Sequence, residues 1–489
     1  STLIPTAMTI ANRFWLLLAV LSLCFSACKR GGTPPPGPEQ PKPALSTTVR
    51  IARDQPLQTI DGFGFFGARG VWWEGNASAL YSDDWATQVI EDLGITIWRN
   101  EYYPPGMPGQ NQDADWNKQK PVVEGLARVA KSKRVPLKMI FTVWSPPASL
   151  KCAVGTGDVR QPGVPHPGGA KQGGTLDPGK YTEFGNWLAD GIQLYKDLGV
   201  DLYAISPQNE PLFKQPFNSC FYKPEWYAEM LKASMPVVKA KFPNVKIFGS
   251  ENMLDMEAGK DRQWFYHRKL RDDPTAGQQL DIWATHGYVE GVTPTATSRM
   301  AQLWQTARTE GAASGKPQWM TETSGYIDTW MGSGDKSGAL DLGLAIHAAL
   351  YHGQAAAWVW WQGSDLNTIN EFNLMPGTAR KSKRYFVSKH FYRFIRPGAR
   401  MVRLDYTEAD GVFASAYEHA AMGAFTVVLI NTKTEPVKVT LDGANLPATF
   451  DFYQTTDTDN CVKKDAVDKG NIVLPAQSIV TLVNGRVVE

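Results

Sequence analysis

The chain has 489 residues, with 50 Lys and Arg against 48 Asp and Glu, for a formal charge of +2. That length suits one large domain of about 250–300 residues plus a smaller one. The near balance of charge leaves no electrostatic footprint for nucleic acid or for an anionic membrane surface.

The first stretch reads as a leader rather than as fold. Met8 is followed by a single cation, Arg13, and then by the apolar run Phe14-Trp15-Leu16-Leu17-Leu18-Ala19-Val20-Leu21. That run is too short to span a bilayer and matches a signal-peptide core over residues 1–28. It closes on Phe25-Ser26-Ala27-Cys28, which resembles a bacterial lipobox with Cys28 as the lipidated residue. The plainer alternative is a signal cleaved near Ala27. Residues 29–45, with Gly31-Gly32-Thr33-Pro34-Pro35-Pro36-Gly37, read as a Pro/Gly-rich tether. Together these predict an exported protein whose membrane contact is a lipid anchor, with a periplasmic or secreted form as the alternative. Of the five cysteines, Cys152, Cys220 and Cys461 lie beyond the leader, and none has CxxC spacing. A metal site is therefore not expected. An oxidising compartment permits a Cys152–Cys220 disulfide, with free buried thiols as the alternative.

From residue 59 to 396, short apolar runs alternate with amphipathic helices. The strands are predicted at 59–64, 95–99, 137–144, 202–206, 245–249, 280–285, 318–321 and 356–361. Each run is continuous rather than alternating, as a parallel strand buried on both faces reads. The helix that follows Asp177 is typical. Asp177 can cap it, Pro178 suits its first turn, Phe184, Leu188, Ile192 and Tyr195 form one stripe, and Gly199 stops it. A second helix from Pro224 carries Trp226, Met230 and Val237 as its apolar stripe, with Trp226 read as core. Eight such units predict an α/β chain built on a (β/α)8 TIM barrel, with a doubly wound sheet as the runner-up. After Pro397 the pattern changes to alternating strands at 412–417, 425–430, 437–441, 450–453 and 479–483. These predict a small β-sandwich over 397–489, joined by an N-terminal strand within 46–58.

In such a barrel the chemistry sits at the C-terminal ends of the strands. The polar residues there are Arg99, Asn100 and Glu101 on strand two, and Trp144 and Ser145 on strand three. Strand four ends in Gln208, Asn209 and Glu210, strand five in Glu251 and Asn252, and strand six in His286 and Tyr288. Strand seven ends in Glu322 and strand eight in Trp360, Trp361 and Gln362. Carboxylates, amides and aromatics on one rim suit glycosidic bond cleavage, which needs one protonated carboxyl and one ionised carboxyl. Spacing alone does not choose two among Glu101, Glu210, Glu251 and Glu322. Trp144 and Trp361 are the expected sugar platforms. Trp72, Trp73, Tyr102 and Tyr103 fit loop packing equally well.

The motifs supply the choice. Ser206-Pro207-Gln208-Asn209-Glu210-Pro211 resembles the strand-four Asn-Glu-Pro signature of clan A glycoside hydrolases, and Trp319-Met320-Thr321-Glu322 resembles their strand-seven nucleophile segment. Further matches are Asp61-Gly62-Phe63-Gly64, Thr285-His286-Gly287-Tyr288, Trp358-Val359-Trp360-Trp361, Phe394-Ile395-Arg396-Pro397-Gly398 and Leu474-Pro475-Ala476-Gln477-Ser478. Together and in this order they resemble glycoside hydrolase family 30, from about residue 46 to the C-terminus, with the second half most like its xylanase-like branch. The resemblance implies a cofactor-independent retaining enzyme acting on polysaccharide or oligosaccharide. In it Glu210 is the acid/base, Glu322 the nucleophile, and Asn209 a ligand of the substrate 2-hydroxyl. Arg99 and Tyr288 are implied beside Glu322, and His286 lines or supports the pocket. Branch members that require glucuronic acid side groups carry adjacent arginines just after the strand-eight tryptophans. Here Gln362-Gly363-Ser364-Asp365-Leu366-Asn367-Thr368-Ile369-Asn370-Glu371 has none. A substrate carboxylate would lack a bidentate cation there. Xylan-type hemicellulose, not dependent on glucuronic acid, is the expected substrate. β-1,6-Glucan, β-1,6-galactan, a glucosylceramidase-like exo activity and a non-catalytic glycan-binding lipoprotein are the alternatives. The Gly- and Pro-rich insert at 151–175 is expected to shape the negative subsites.

Two other patterns are set aside. Gly62-Phe63-Gly64-Phe65-Phe66-Gly67 matches GxGxxG, but Val71, Trp72 and Trp73 follow where a phosphate-facing helix should begin, so it is read as a rim turn. His347 and His352 are five apart and do not share a helix face well enough to chelate a metal.

Overall fold

The computed structural model describes residues 45–68, 81–104, 116–167, 172–254, 262–289, 292–365, 371–376 and 381–487. The leader with Cys28, residues 29–44 of the tether, Trp72, Trp73 and residues 366–370 lie outside them, and the tether's last residue, Leu45, already begins a strand.

Eight parallel strands form a closed barrel. In order around it they are Gly62–Ala68, Ile97–Glu101, Lys138–Thr142, Ala204–Ser206, Lys246–Met253, Ile282–His286, Gln318–Glu322 and Ala357–Asp365. The eighth strand pairs with both the seventh and the first, which closes the ring. The interior is filled by Ile97, Ile140, Ala204, Phe248, Ile282, Ala284, Trp319 and Val359. Trp319 plugs the floor, stacked on Tyr203 at 5.9 Å and donating its indole N–H to Asp61 at 2.8 Å. A packed barrel of this kind leaves only the strand ends free for chemistry.

The Gly62–Gly67 pattern is not a rim turn. It is the first barrel strand itself, displaced by three residues from the expected 59–64. Its glycines answer to packing. A Cβ on Gly64 would stand 1.7 Å from the Ile97 carbonyl oxygen on the neighbouring strand.

Polar caps set the helix starts. Asp177 accepts from the Gly179 amide and opens a 3-10 turn, Pro178–Lys180, ahead of the helix Tyr181–Lys196. Phe184, Leu188, Ile192 and Tyr195 are buried along that helix, and Gly199 follows it at φ +73°. In the helix Pro224–Lys241 Trp226 is core, and Val238 rather than Val237 completes the buried stripe.

The second layer is one continuous nine-stranded sheet that curls on itself. The strand Leu45–Thr59 lies inside it, antiparallel to Arg400–Asp405 and parallel to Val437–Asp442. Residues from both ends of the sheet, among them Phe450, Phe452, Ile472 and Leu474, enclose one core with Val49, Val427 and Leu482. Its other face packs on the barrel: Phe413, Tyr417, Val428, Ile430 and Ile479 join the barrel's outer core. The helix Ala339–Tyr351 between the two layers is apolar nearly all round, as a doubly covered helix must be.

Within the insert, Lys151–Gly155, Val159–Pro165 and Thr175–Leu176 form a three-stranded antiparallel sheet. The Cys152–Cys220 disulfide does not form; Cys152, Cys220 and Cys461 are all free and buried. His347 and His352 serve packing, with Nε2 of the first 2.9 Å from the Tyr406 hydroxyl and Nε2 of the second 2.7 Å from the Pro294 carbonyl.

Candidate active site

A cleft of about 450 Å³ opens at the C-terminal ends of the barrel strands, and both Glu210 and Glu322 line it. Strand four delivers Asn209 and Glu210, and strand seven ends on Glu322. Glu210 takes a left-handed backbone conformation, φ +43°, and Glu251 does the same at φ +59°. Non-glycine residues are held there at a cost of roughly 1–3 kcal/mol only where surrounding structure over-determines them, which is typical of functional sites. Both carboxylates are aimed inward by that turn of the chain.

Glu322 is fixed from two sides. Arg99 Nη1 donates to Oε2 at 2.6 Å, and the Tyr288 hydroxyl donates to Oε1 at 2.9 Å. The Arg99 guanidinium is wholly buried. Its remaining donors go to Asn209 Oδ1 at 3.1 Å, Glu251 Oε1 at 3.2 Å and Thr142 Oγ1 at 3.1 Å. It also lies 4.9 Å over the Trp144 ring. Burial opposes the charge of Glu251, but Arg99 and His286 overcome that and hold its carboxyl down at about 2. Thr142 gives Glu251 a further hydrogen bond at 3.1 Å.

Glu210 sits in a different field. Its Oε1 meets His286 Nδ1 at 2.7 Å, and the Gln215 amide donates to Oε2. Burial raises its pKa, with the nearby charge of Glu322 adding to the rise while His286 and Gln215 oppose it. His286 also approaches Glu251 at 3.5 Å. Burial opposes an imidazolium, yet Glu322, Glu210 and Glu251 together push its pKa up to about 9. An oxygen of Glu210, an oxygen of Glu322 and a His286 nitrogen all lie within 4.8 Å of one another.

The two carboxyls thus differ: one is braced by a cation and a phenol, and the other is biased towards the protonated form. That division is what acid/base work paired with nucleophilic work requires.

All eight predicted barrel residues converge. Glu210, Glu322, Asn209, Trp144, Tyr288 and Trp361 line the cleft. Arg99, expected beside Glu322, and His286, expected to line or support the pocket, lie beneath its floor with no exposed surface and contact the carboxylates from below. Trp361 stacks on Phe66 at 4.4 Å and stands 6.1 Å from Trp144, which makes an aromatic wall. Tyr102 stacks on Trp187 at 4.2 Å and belongs to loop packing.

Sequence reasoning passed over Gln215, Phe213 and Phe217, all of which line the cleft, and left Glu251 among unresolved candidates. The apolar pair in Leu212-Phe213-Lys214-Gln215-Pro216-Phe217 was a readable signal, because large apolar residues in a turn-rich loop ask for a partner. Gln215 had none, since its contact depends on how the loop folds back.

No family model matches the chain. It is 26% identical over 409 residues to the glucuronoxylanase XynC of Bacillus subtilis (strain 168), covering 82% of this chain and 81% of that protein. It is also 26% identical over 333 residues to the endo-1,6-beta-D-glucanase neg1 of Aspergillus fumigatus, covering 64% of this chain and 62% of the relative. Among solved structures, the GH30 endoxylanase from Clostridium papyrosolvens C71 superposes with a TM-score of 0.68 at 25% identity. That likeness covers 90% of this chain and all of the other.

Proposed function

We propose that this chain, a glycoside hydrolase of family 30 by sequence and fold, is a retaining endo-β-glycanase with Glu210 as acid/base and Glu322 as nucleophile. The carrying observation is the pair itself. An oxygen of each carboxyl lies within 4.8 Å of the other. That fits the roughly 5–5.5 Å between carboxyls in retaining enzymes and is short of the roughly 6.5–9.5 Å that leaves room for an inverting water. Glu210, its pKa raised by burial, protonates the departing oxygen while Glu322 attacks the anomeric carbon. Arg99 and Tyr288 keep the Glu322 oxygens oriented for that attack. Once the glycosyl ester has formed, Glu210 as carboxylate takes the proton of the attacking water and the ester breaks. Asn209, oriented by Arg99, offers its amide N–H group to the substrate 2-hydroxyl.

Neutral xylan-type hemicellulose is our reading of the substrate. The described lining of the cleft includes Glu101, Glu210 and Glu322 and no lysine or arginine, so a glucuronate carboxylate meets no cation among the described lining residues. β-1,6-Glucan is the second reading, favoured by the similarity to an endo-1,6-beta-D-glucanase. Export with Cys28 as a lipid anchor accounts for the leader sequence.

Product analysis on neutral xylan, glucuronoxylan, β-1,6-glucan and β-1,6-galactan tests the substrate. Oligosaccharides from neutral xylan are expected, and cleavage of glucuronoxylan alone overturns that reading. NMR of the first products should show β-anomers, and α-anomers would rule out retention. Glu322→Gln should abolish turnover while sugar binding survives. Glu210→Ala should slow natural substrates far more than those with an activated leaving group, and equal losses on both would sink the role assignment.

A further inference from the structure

Of the three strongly exposed phenylalanines among the described residues, two line the catalytic cleft: Phe213, 39% exposed, and Phe217, 44% exposed. Both sit on the loop that leaves strand four directly after Glu210, on either side of Gln215. Gln215 is the residue whose amide holds the Glu210 carboxyl. Loops normally carry polar residues outward, so two open aromatic faces beside a reacting carboxyl are a ready stacking surface.

The loop is braced from outside by the three-stranded insert. The buried Lys151 donates to the Ser219 carbonyl at 2.9 Å and to Ser145 Oγ at 3.0 Å. The Gly173 amide donates to Ser219 Oγ at 2.9 Å, and the Phe221 amide donates to the Gly174 carbonyl at 2.9 Å. Lys214 pairs with Asp158 of the insert. A second cavity of about 240 Å³ lies between loop and insert and shares Gln215 with the main cleft.

We infer that Phe213 and Phe217 form the acceptor-side subsite, which stacks the sugar that departs with the leaving oxygen and passes the chain on towards the insert. The inference rests on Glu210 being the acid/base. The sugar attached to the oxygen it protonates must lie on the Glu210 side of the scissile bond, and this loop forms that side. Trp361 and Tyr288, on the Glu322 side, are left for the sugar that becomes the ester. The insert therefore shapes the positive subsites rather than the negative ones.

The test compares kcat/KM on two kinds of probe for wild type, Phe213→Ala/Phe217→Ala and Phe213→Tyr/Phe217→Tyr. The polymers are linear unsubstituted xylan and β-1,6-glucan. The fluorides are β-xylobiosyl and β-gentiobiosyl fluoride, whose leaving group gives the rings nothing to hold. The double alanine variant should lose about tenfold per ring on the polymer that wild type cuts. It should stay within about twofold on the matching fluoride, and the tyrosine variant should keep polymer activity because its rings still stack. Unchanged polymer cleavage, or equal losses on polymer and fluoride, would overturn the subsite and leave the enzyme assignment standing. A wild type inert on all four probes, and on glucuronoxylan and β-1,6-galactan as well, would overturn the catalytic reading and the subsite with it.

Discussion

Replacing Arg99 with leucine removes the cation that hydrogen-bonds to Glu322, Glu251, Asn209 and Thr142. In the native protein the guanidinium is wholly buried and contacts Glu322 at 2.6 Å and Glu251 at 3.2 Å. Unit charges about 4 Å apart attract by roughly 4 kcal/mol at an effective dielectric near 20. Removing one partner of a buried pair typically costs about 3–5 kcal/mol, because a buried charge is left uncompensated. At about 2.1 cal/mol/K per residue, a folded unit of this size has an unfolding entropy near 0.9 kcal/mol/K, so Tm at pH 7 should fall by about 3–6 °C. The pH dependence carries the argument. Glu251 is held at about 2 when folded, against an ordinary value of 4.5. Its stabilisation is present above 4.5 and is lost as pH falls towards 2. Without Arg99 the carboxyl has less depression to lose. The gap between wild type and variant should therefore be widest near neutrality and narrow below about pH 4. Calorimetry of both proteins at pH 7 and pH 3.5 reads this directly. A gap that is equal at the two values, or wider in acid, would refute the ion-network account. The same variant should lose about 10²–10³ in kcat, since Glu322 loses its orientation.

His286 lowers the pKa of Glu210, so His286→Phe should move the alkaline limb of kcat/KM against pH upward; a downward shift would contradict that coupling. Gly64→Ala places a methyl against the Ile97 carbonyl, and it should abolish soluble folded protein or cost more than about 4 kcal/mol in denaturant titration; near-native stability would refute the close approach. Cys152 and Cys220 are free and buried, so a reductant should leave Tm unchanged, and a fall of several degrees would reveal a disulfide. Lys151 is buried, its pKa lowered to about 8. Lys151→Met should loosen the 211–221 loop, seen as faster amide exchange at Gly173 and Phe221, and unaltered protection would remove its bracing role.

The barrel was legible because strands covered on both faces must be continuously apolar, and seven of the eight runs begin within two residues of their predicted start. The first was displaced because Gly62, Gly64 and Gly67 dilute its β signal. The strands Arg400–Asp405, Val462–Asp468 and Ile472–Leu474 were missed for different reasons. Val462–Asp468 is an edge strand exposed on both faces, and its lysines read as a loop while they guard the edge. Ile472–Leu474 is too short to show a period. At the site, position at a strand end brought out the carboxylates, and the Asn-Glu-Pro and strand-seven motifs ranked them. Sequence did not reveal that Glu251 is spent on Arg99, because that requires the side chains of strands two, three and five to meet beneath the cleft. Gln215 was invisible for a related reason, since a loop contact has no periodicity.

The strand Leu45–Thr59 has a consequence for synthesis. It sits inside the nine-stranded sheet, yet both neighbours, Arg400–Asp405 and Val437–Asp442, come from the far end of the chain. On the ribosome it emerges more than three hundred residues before either partner. Through that interval it is an unpaired strand with an apolar face, Val49 and Ile51 included, which is a template for wrong pairing. The charges of Arg50, Arg53 and Asp54 act as gatekeepers over the waiting period. Completion of the sheet is then the step that commits the whole chain, and a nascent chain stalled short of residue 437 would leave this strand uncapped for chaperones or proteases to find.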